Sequence, residues 1–585
     1  MLGKDMPILM PLEGTMMAIV VIRKTSRTWI LLSALIRELG VFSLHSTPSR
    51  ALIQISDLFS LRSEEARNSR LAYCKSRLSL QTTLRQAFVL DQREHLIKMT
   101  QDLVESVDKP QWLPLIYSIA YLHSTIIERK KYGPLGWCIK YEFGQHDFNA
   151  SIQFLQSYLY SLDPRKNQQI SWKTICYMIA EVHYGGRITD DFDRKLMNVY
   201  TAEWVSGQVL EPNYSFCAPI YKMPTFGAQP NINDIRKFVD NLPMIDKPQA
   251  FMMHPNAELT FRAAETQAVL GTILSIQPKD AGGAKAGGSR EDVVLKQAKD
   301  ILTKLPPKYD LKHQVPQYLK ALNGDSSSPK ALTVFLGQEI ERMQAVLSMI
   351  RSTLIDLQQA MAGSIIMTEH LQDALDAIFD ARVPARWLNI SWLSPTLGQW
   401  LSDVSARCTQ YSNWLMKEQP ASFWLTGFFN PNGFLTSVKQ EITRSNTTNG
   451  APWSLDKVMI QTSVMKFKDE KQAQTNKPKM SGAVYIHGLF LEGAQWEPKK
   501  EIIIDAASKQ MFAPLPVLLV EATESTSDVV TAPVKDKSGI MLYECPVYKT
   551  PMRTGQNFIF AVKLRSEKRP AQWAMRGTAL LCQTQ

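Results

Sequence analysis

The chain has 585 residues, of which 45% are hydrophobic and 21% charged, and a formal net charge of +11. This is an ordinary globular composition with ample material for buried cores, and its length leads to an expectation of about three or four domains. The basic excess is spread along the chain, which fits a solvated surface better than a dedicated patch for microtubules, membranes or nucleic acid.

The seven cysteines, Cys74, Cys138, Cys176, Cys217, Cys408, Cys545 and Cys582, are far apart and form no C-x-x-C. That argues for a reducing compartment and against a zinc site or disulfide framework. The sequons at Asn213 and Asn446 then read as chance matches. The most apolar N-terminal segment, MMAIVVIRKTSRTWILLSALI, is broken by Arg23, Lys24 and Arg27. Its pieces are too short to span a bilayer, and it lacks the cleavage site of a secretory signal.

In chain order, the first hundred residues mix apolar and basic runs without a clear plan. WLPLIYSIAYLHSTIIERK, from Trp112, reads as a largely buried helix that ends near Gly133, Pro134 and Gly136. A second helix is expected from Phe148 to Ser161. A third, ISWKTICYMIAEVHY, stops at Gly185-Gly186. In RITDDFDRKLMNVYTAEWV, Thr189 or Asp190 can cap a fourth helix, with Asp191 and Asp193 in its first turn. Four helices with short loops make a compact bundle. Residues 206–250 read as a connector, AELTFRAAETQAVLGTILSI as a helix and AGGAKAGGSR as a flexible linker.

The clearest periodicity runs from Leu332 to Met361, with apolar residues at 332, 336, 340, 343, 347, 350, 354, 357 and 361. It predicts a helix of about 30 residues and about 45 Å, packed along a domain rather than a free zipper. EHLQDALDAIFDARVP folds back at once. FWLTGFFNPNGFLTSVKQEITR then gathers Phe423, Trp424, Phe428, Phe429 and Phe434 around the turn Asn430-Pro431-Asn432-Gly433, below Trp387, Trp392, Trp400 and Trp414. So aromatic a corner suits a joint between two layers, with a ligand pocket as the other reading. After the polar loop KDEKQAQTNKPKMSG come AVYIHGLFLEGA, EIIIDA, LPVLLVEAT, GIMLYECPVYKT, NFIFAVKLR and QWAMRGTALLC. About five or six strands in about 110 residues suggest a small barrel or sandwich.

No phosphate-binding G-x-x-x-x-G-K-[ST] occurs, and Ile502–Asp505, superficially a strand carrying an acid to magnesium, is followed by Ala506. G-x-S-x-G and H-E-x-x-H are also missing. The nine histidines are isolated; His123 reads as a satisfied core histidine and His183 as a helix-end residue. These residues point to an assembly or mechanical part without chemistry of its own.

ERKKYGPLGWCIKYEF (128–143) resembles the run that opens the lid of the sixth AAA+ module in dynein heavy chains. HYGGRITDDFDRKLMN (183–198) resembles a later signature of that lid. FLGQEIERMQAVLSMIRSTL, SFWLTGFFNPNGFLTSVKQEITR, HGLFLEGAQW and YECPVYKT resemble successive parts of the dynein C-terminal domain, and the details look most like an axonemal outer-arm heavy chain. The resemblance covers residues 86–585. Residues 1–85 do not match the expected large subdomain, and Cys138 and Lys140 replace the family's usual asparagine and proline.

The resemblance implies an α+β chain: residues 1–100 unassigned, a remnant of an AAA+ large subdomain being one reading; 101–208 the helical lid; 209–290 a connector with a helix and Gly-rich loop; 291–470 a helical part with a long helix; 471–585 a small antiparallel β-barrel. It implies a non-catalytic brace and regulator of the AAA+ ring of a minus-end-directed microtubule motor of cilia or flagella. ATP and magnesium belong to other modules, and neither catalytic, cofactor nor metal residues are expected here. Partners are the rest of the ring, intermediate and light chains and, through the motor, microtubules, in the axoneme; nucleic acid and membrane are not expected. The alternatives are a free-standing basic polymer-binding module and an enzyme using the aromatic region as a pocket. Interface candidates are Arg187, Asp190 and Asp191 at the lid turn, and Trp424, Phe428, Phe429 and Asn430 at the corner. The expectation is a C-terminal fragment, a short isoform or a truncated gene product.

Overall fold

The computed structural model describes residues 5–12, 16–23, 101–162, 169–226, 231–243, 247–276, 290–309, 330–416, 419–448, 451–467, 470–524, 535–536 and 538–584. The protein divides into two compact units, Met1–Leu78 and Ser79–Gln585. In the first, β1 (Asp5–Leu12) and β2 (Met16–Arg23) form an antiparallel hairpin. The apolar run at Met16 is thus a strand. Most of the unassigned N-terminal segment and of the Gly-rich linker lies outside the described residues, among which no helix is long and apolar enough to cross a membrane.

The second unit opens with a helical bundle: α1 (Gln101–Glu105), α2 (Trp112–Glu128), α3 (Gln145–Ser161), α4 (Trp172–Tyr177) and α5 (Asp191–Trp204). Fourteen of the seventeen residues of α2 are buried, because the helix is apolar on nearly every side and the others wrap it. α4 continues as a π-helix, Met178–His183, up to the glycine pair. At the end of α2 the fully buried Arg129 donates to Gly136 O (2.7 Å), Tyr200 Oη (2.5 Å) and Phe251 O (3.1 Å). These bonds satisfy a guanidinium that has lost its water, and tie the bundle to the following segment. That segment carries α6 (Ile232–Asp240) and α7 (Ala257–Ile276).

Next come α8 (Arg290–Lys304), α9 (Ala331–Met361), α10 (Glu369–Phe379), α11 (Ala385–Leu388) and α12 (Leu397–Met416). In the 31-residue α9 the seam residues from Leu332 to Leu357 are all buried in the protein's own core, with Met361 packed at its margin. The 3-4 spacing is a packing stripe here. β3 (Ser422–Trp424), α13 (Pro431–Ser445), the short β4 (Thr447–Thr448) and β5 (Ala451–Pro452), and β6 (Val458–Val464) follow. The polar loop contains a short helix, α14 (Glu470–Thr475). The remaining elements are β7 (Val484–His487), β8 (Phe490–Glu492), β9 (Ala494–Glu497), β10 (Ile502–Asp505), β11 (Phe512–Pro514), β12 (Leu518–Glu524), β13 (Met541–Tyr548), β14 (Phe558–Ser566), α15 (Pro570–Arg576) and β15 (Ala579–Leu581).

These strands form a four-stranded sheet, order β3-β7-β12-β6, and a seven-stranded sheet, order β11-β8-β15-β13-β14-β10-β9. Two features differ from the antiparallel barrel expected. Both sheets are mixed: β3 runs parallel to β7, β10 to β14, and β13 to β15. Neither is closed. β8 and β9 are one segment bent at Gly493 (φ +76°), whose first half pairs with β15 and whose second half pairs with β10. The bend carries the segment between distant strands, leaving β11 and β9 as sheet ends. Strand structure also begins before residue 471, in β3 and β6. β3 is three residues long, too short for an alternating pattern to announce it.

Candidate interdomain interface

The predicted interface residues fall into two clusters. In the bundle, Asp190 caps α5, accepting from the amides of Phe192 (2.9 Å) and Asp193 (3.1 Å). Arg187 donates to Asp147 Oδ1 at 3.1 Å, and Asp147 itself accepts from Gly144 N. Asp191 is exposed in the first turn of α5, where the helix dipole favours a carboxylate. Asp193 is buried and accepts from the amides of Cys138 (3.0 Å) and Ile139 (3.2 Å). Burial raises its carboxyl to about 6 and pushes the Cys138 thiol up to about 12. Cys138, Asp190 and Asp193 bring three potential metal-ligating atoms within 4.8 Å of one another. Both carboxylates are engaged by backbone amides, so the arrangement is accounted for as a capping knot.

In the aromatic corner, Phe423, Phe428 and Phe434 are fully buried, with ring centroids 4.7 Å apart for Phe428 and Phe434 and 5.0 Å for Phe423 and Phe434. Phe335 of α9 meets Phe428 at 5.1 Å, and Trp414 of α12 meets Phe423 at 4.8 Å. Asn430 caps α13 through Gly433 N at 3.0 Å. The turn is anchored by Glu339 of α9, which accepts from the amides of Phe429 (2.5 Å) and Asn430 (3.1 Å) and from Tyr411 Oη (3.1 Å). Burial pushes the Glu339 carboxyl up, and those donors oppose the shift. The buried Arg407 guanidinium lies 3.8 Å over the Trp392 ring and 5.9 Å from that of Phe429. The corner is thus a packed joint between α9, α12, α13 and β3. Only Trp424, half-buried, reaches an open groove of about 1070 Å³ with Trp496 and His487 on its wall.

Residues that sequence reasoning missed connect the two clusters. Phe192, between Asp191 and Asp193, places its ring 5.4 Å from Phe558 at the start of β14. Cys138 Sγ lies 3.6 Å from Tyr548 Oη, and Lys195 pairs with Glu544 at 3.0 Å. From the other side of the same hairpin, Lys549 Nζ donates to Phe429 O (2.7 Å) and Phe558 O accepts from Asn432 Nδ2 (3.2 Å). The end of the β13–β14 hairpin therefore spans the space between lid turn and corner. A second contact is Asn256, which donates to Ala507 O (2.8 Å) and Gln510 O (2.9 Å) and accepts from Lys509 N (3.0 Å). A third is α15, which packs against both α5 and β13. Asp505, at the end of β10, receives Lys568 Nζ (2.6 Å) and Arg576. It serves there as an ion-pair acceptor. His123 is buried against Tyr184 Oη (3.0 Å), and desolvation lowers it to about 4, which keeps it neutral. The six described cysteines are free.

The protein thus joins a helical bundle to a C-terminal region of one long helix and two mixed sheets. Residues 112–257 match the AAA lid domain of dynein heavy chains, and residues 263–582 match the C-terminal domain of the same proteins. The protein belongs to the dynein heavy chain family. It is 43% identical over 484 residues to dynein axonemal heavy chain 8 of Homo sapiens, covering 83% of its own length and 10% of that relative. Dynein axonemal heavy chain 5 of Mus musculus is 43% identical over 487 residues, again 83% of the present sequence and 10% of the relative. The dynein gamma chain of the flagellar outer arm of Chlamydomonas reinhardtii is 38% identical over 490 residues, with the same coverage. The present sequence thus spans about a tenth of the length of these relatives.

Proposed function

We propose that this protein acts as the C-terminal part of an axonemal dynein heavy chain: a non-catalytic brace and regulator of the AAA+ ring in an ATP-driven, minus-end-directed microtubule motor of cilia and flagella. ATP and magnesium act in other modules. Its partners are the rest of the ring, the intermediate and light chains and, through the whole motor, microtubules. The reading rests on one observation. The lid is clasped to the C-terminal region at three separate places, Phe192–Phe558, Asn256–Lys509 and α15. Such a surface transmits force between a ring module and the structure lying against it. Arg187, Asp190, Asp191, Trp424, Phe428, Phe429 and Asn430 shape the two ends of that connection. The small β region acts in this reading as a buttress.

The test has two parts. The purified protein should turn over no ATP and should not co-sediment with microtubules at any salt concentration. An axonemal heavy chain lacking the matched region should glide microtubules more slowly or detach sooner, and restoring the region should rescue it. ATP turnover by the isolated protein would overturn the proposal. Salt-sensitive co-sedimentation would instead favour an independent basic polymer-binding module.

A further inference from the structure

The family divides this part of the sequence into a lid and a C-terminal domain, but α15 belongs to both. Trp573 is fully buried in the core that holds α9, α12 and the sheets, and Met575 is buried in the core of the helical bundle. Residues two apart on a helix point to nearly opposite sides, so a seven-residue helix can serve two cores at once. The helix is held at its middle and at both ends as well. Trp573 Nε1 donates to Ser566 Oγ (2.6 Å) and Arg569 pairs with Glu203 of α5 (3.5 Å). Gly577 closes the helix at φ +70°, packed so closely on Leu135 that a Cβ would stand 2.7 Å from its carbonyl oxygen. The Gly577 carbonyl accepts from Arg553 (2.6 Å), whose other nitrogen pairs with Glu492 (2.7 Å).

We infer that α15 is a strap between the two cores, which makes the lid and the C-terminal region one cooperative and mechanical body, so that motion imposed on either reaches the other without slack. The strap is a property of the protein's own fold and stands whether or not the brace reading does. It also places a lid-core residue, Met575, 318 residues beyond the end of the matched lid at residue 257.

Native-state hydrogen exchange on the full-length sequence tests it, comparing amides of Leu196–Trp204 in α5 with those of Val562–Leu564 in β14. In the wild type both sets should open together, with the same denaturant dependence. Met575→Asp drives a charge into the lid core and should separate them, the α5 amides exchanging about tenfold faster or more while those of β14 keep their rate. Met575→Leu, close in volume, should keep them together. If Met575→Asp does not fold, Met575→Ala, which only opens a cavity, carries the same comparison. Independent opening in the wild type, or joint opening that survives Met575→Asp or Met575→Ala, would overturn the inference.

Discussion

Trp573 and Met575 lie two residues apart on one short helix, and each is buried in a different hydrophobic core. The helix can leave neither core without disturbing the other. Trp573→Ala should cost about 3–5 kcal/mol and Met575→Ala about 2–5 kcal/mol in urea unfolding. The double variant should cost less than the sum, by about 0.5–3 kcal/mol, because either change alone already loosens the shared helix. Strict additivity would show that the two cores hold α15 independently.

Gly577 needs its lack of a side chain twice, for a left-handed backbone and for its approach to Leu135 O. Gly577→Ala should therefore destabilise the protein by about 1–3 kcal/mol, more than an exposed glycine-to-alanine change. The shift of the urea midpoint, compared with that of Gly555→Ala, which has open space around it, reads the difference.

The Arg553–Glu492 pair is nearly free of solvent. Removing one partner strands a buried charge, so Arg553→Met should cost about 3–5 kcal/mol. Adding Glu492→Leu should recover a large part of that loss, although the hydrogen bond to Gly577 O stays lost. Thermal melts of the two single variants and the double variant decide it. No recovery would mean that the geometry at Gly577 outweighs the charge.

His123 and Asp193 give the bundle opposite pH responses. The folded pKa of His123 is lowered from 6.5 to about 4 by burial. Its contribution is therefore complete above pH 6.5 and is lost as pH falls toward 4, by about 3 kcal/mol. Asp193 is raised from 3.8 to about 6 by burial, so its ionised form weakens the fold as pH rises through that interval. Unfolding free energies measured from pH 4 to 7 should show His123→Asn gaining on wild type as the solution is acidified. Asp193→Asn should gain as it is made more alkaline. Parallel curves for wild type and variants would contradict both assignments.

Much of this was legible in the residues. The 3-4 spacing of α9 specifies an apolar stripe that has to be covered, and the structure buries it from Leu332 to Leu357. The cap of α5 could be narrowed to Thr189 or Asp190 because capping is a contact between near neighbours, and the structure selects Asp190. The aromatic corner could be placed at a joint because rings clustered around an Asn-Pro-Asn-Gly turn have to bury area somewhere. The sheets were harder: β3 is too short to show a period, and parallel pairings such as β3 with β7 join segments about sixty residues apart, so local pattern does not reveal them.

The sequence by itself determined the family, the helical bundle, the long buried helix and the absence of a phosphate-binding G-x-x-x-x-G-K-[ST] motif, since each is written in local spacing or in long continuous runs. Only the tertiary structure decided that Glu339 anchors a turn 90 residues away, that Asn256 clasps one 251 residues away, and that Met575 completes the lid. The physical reason is the same in each case. Hydrophobicity and hydrogen-bonding capacity say that a residue must be buried or paired, but the partner is chosen by how whole elements pack.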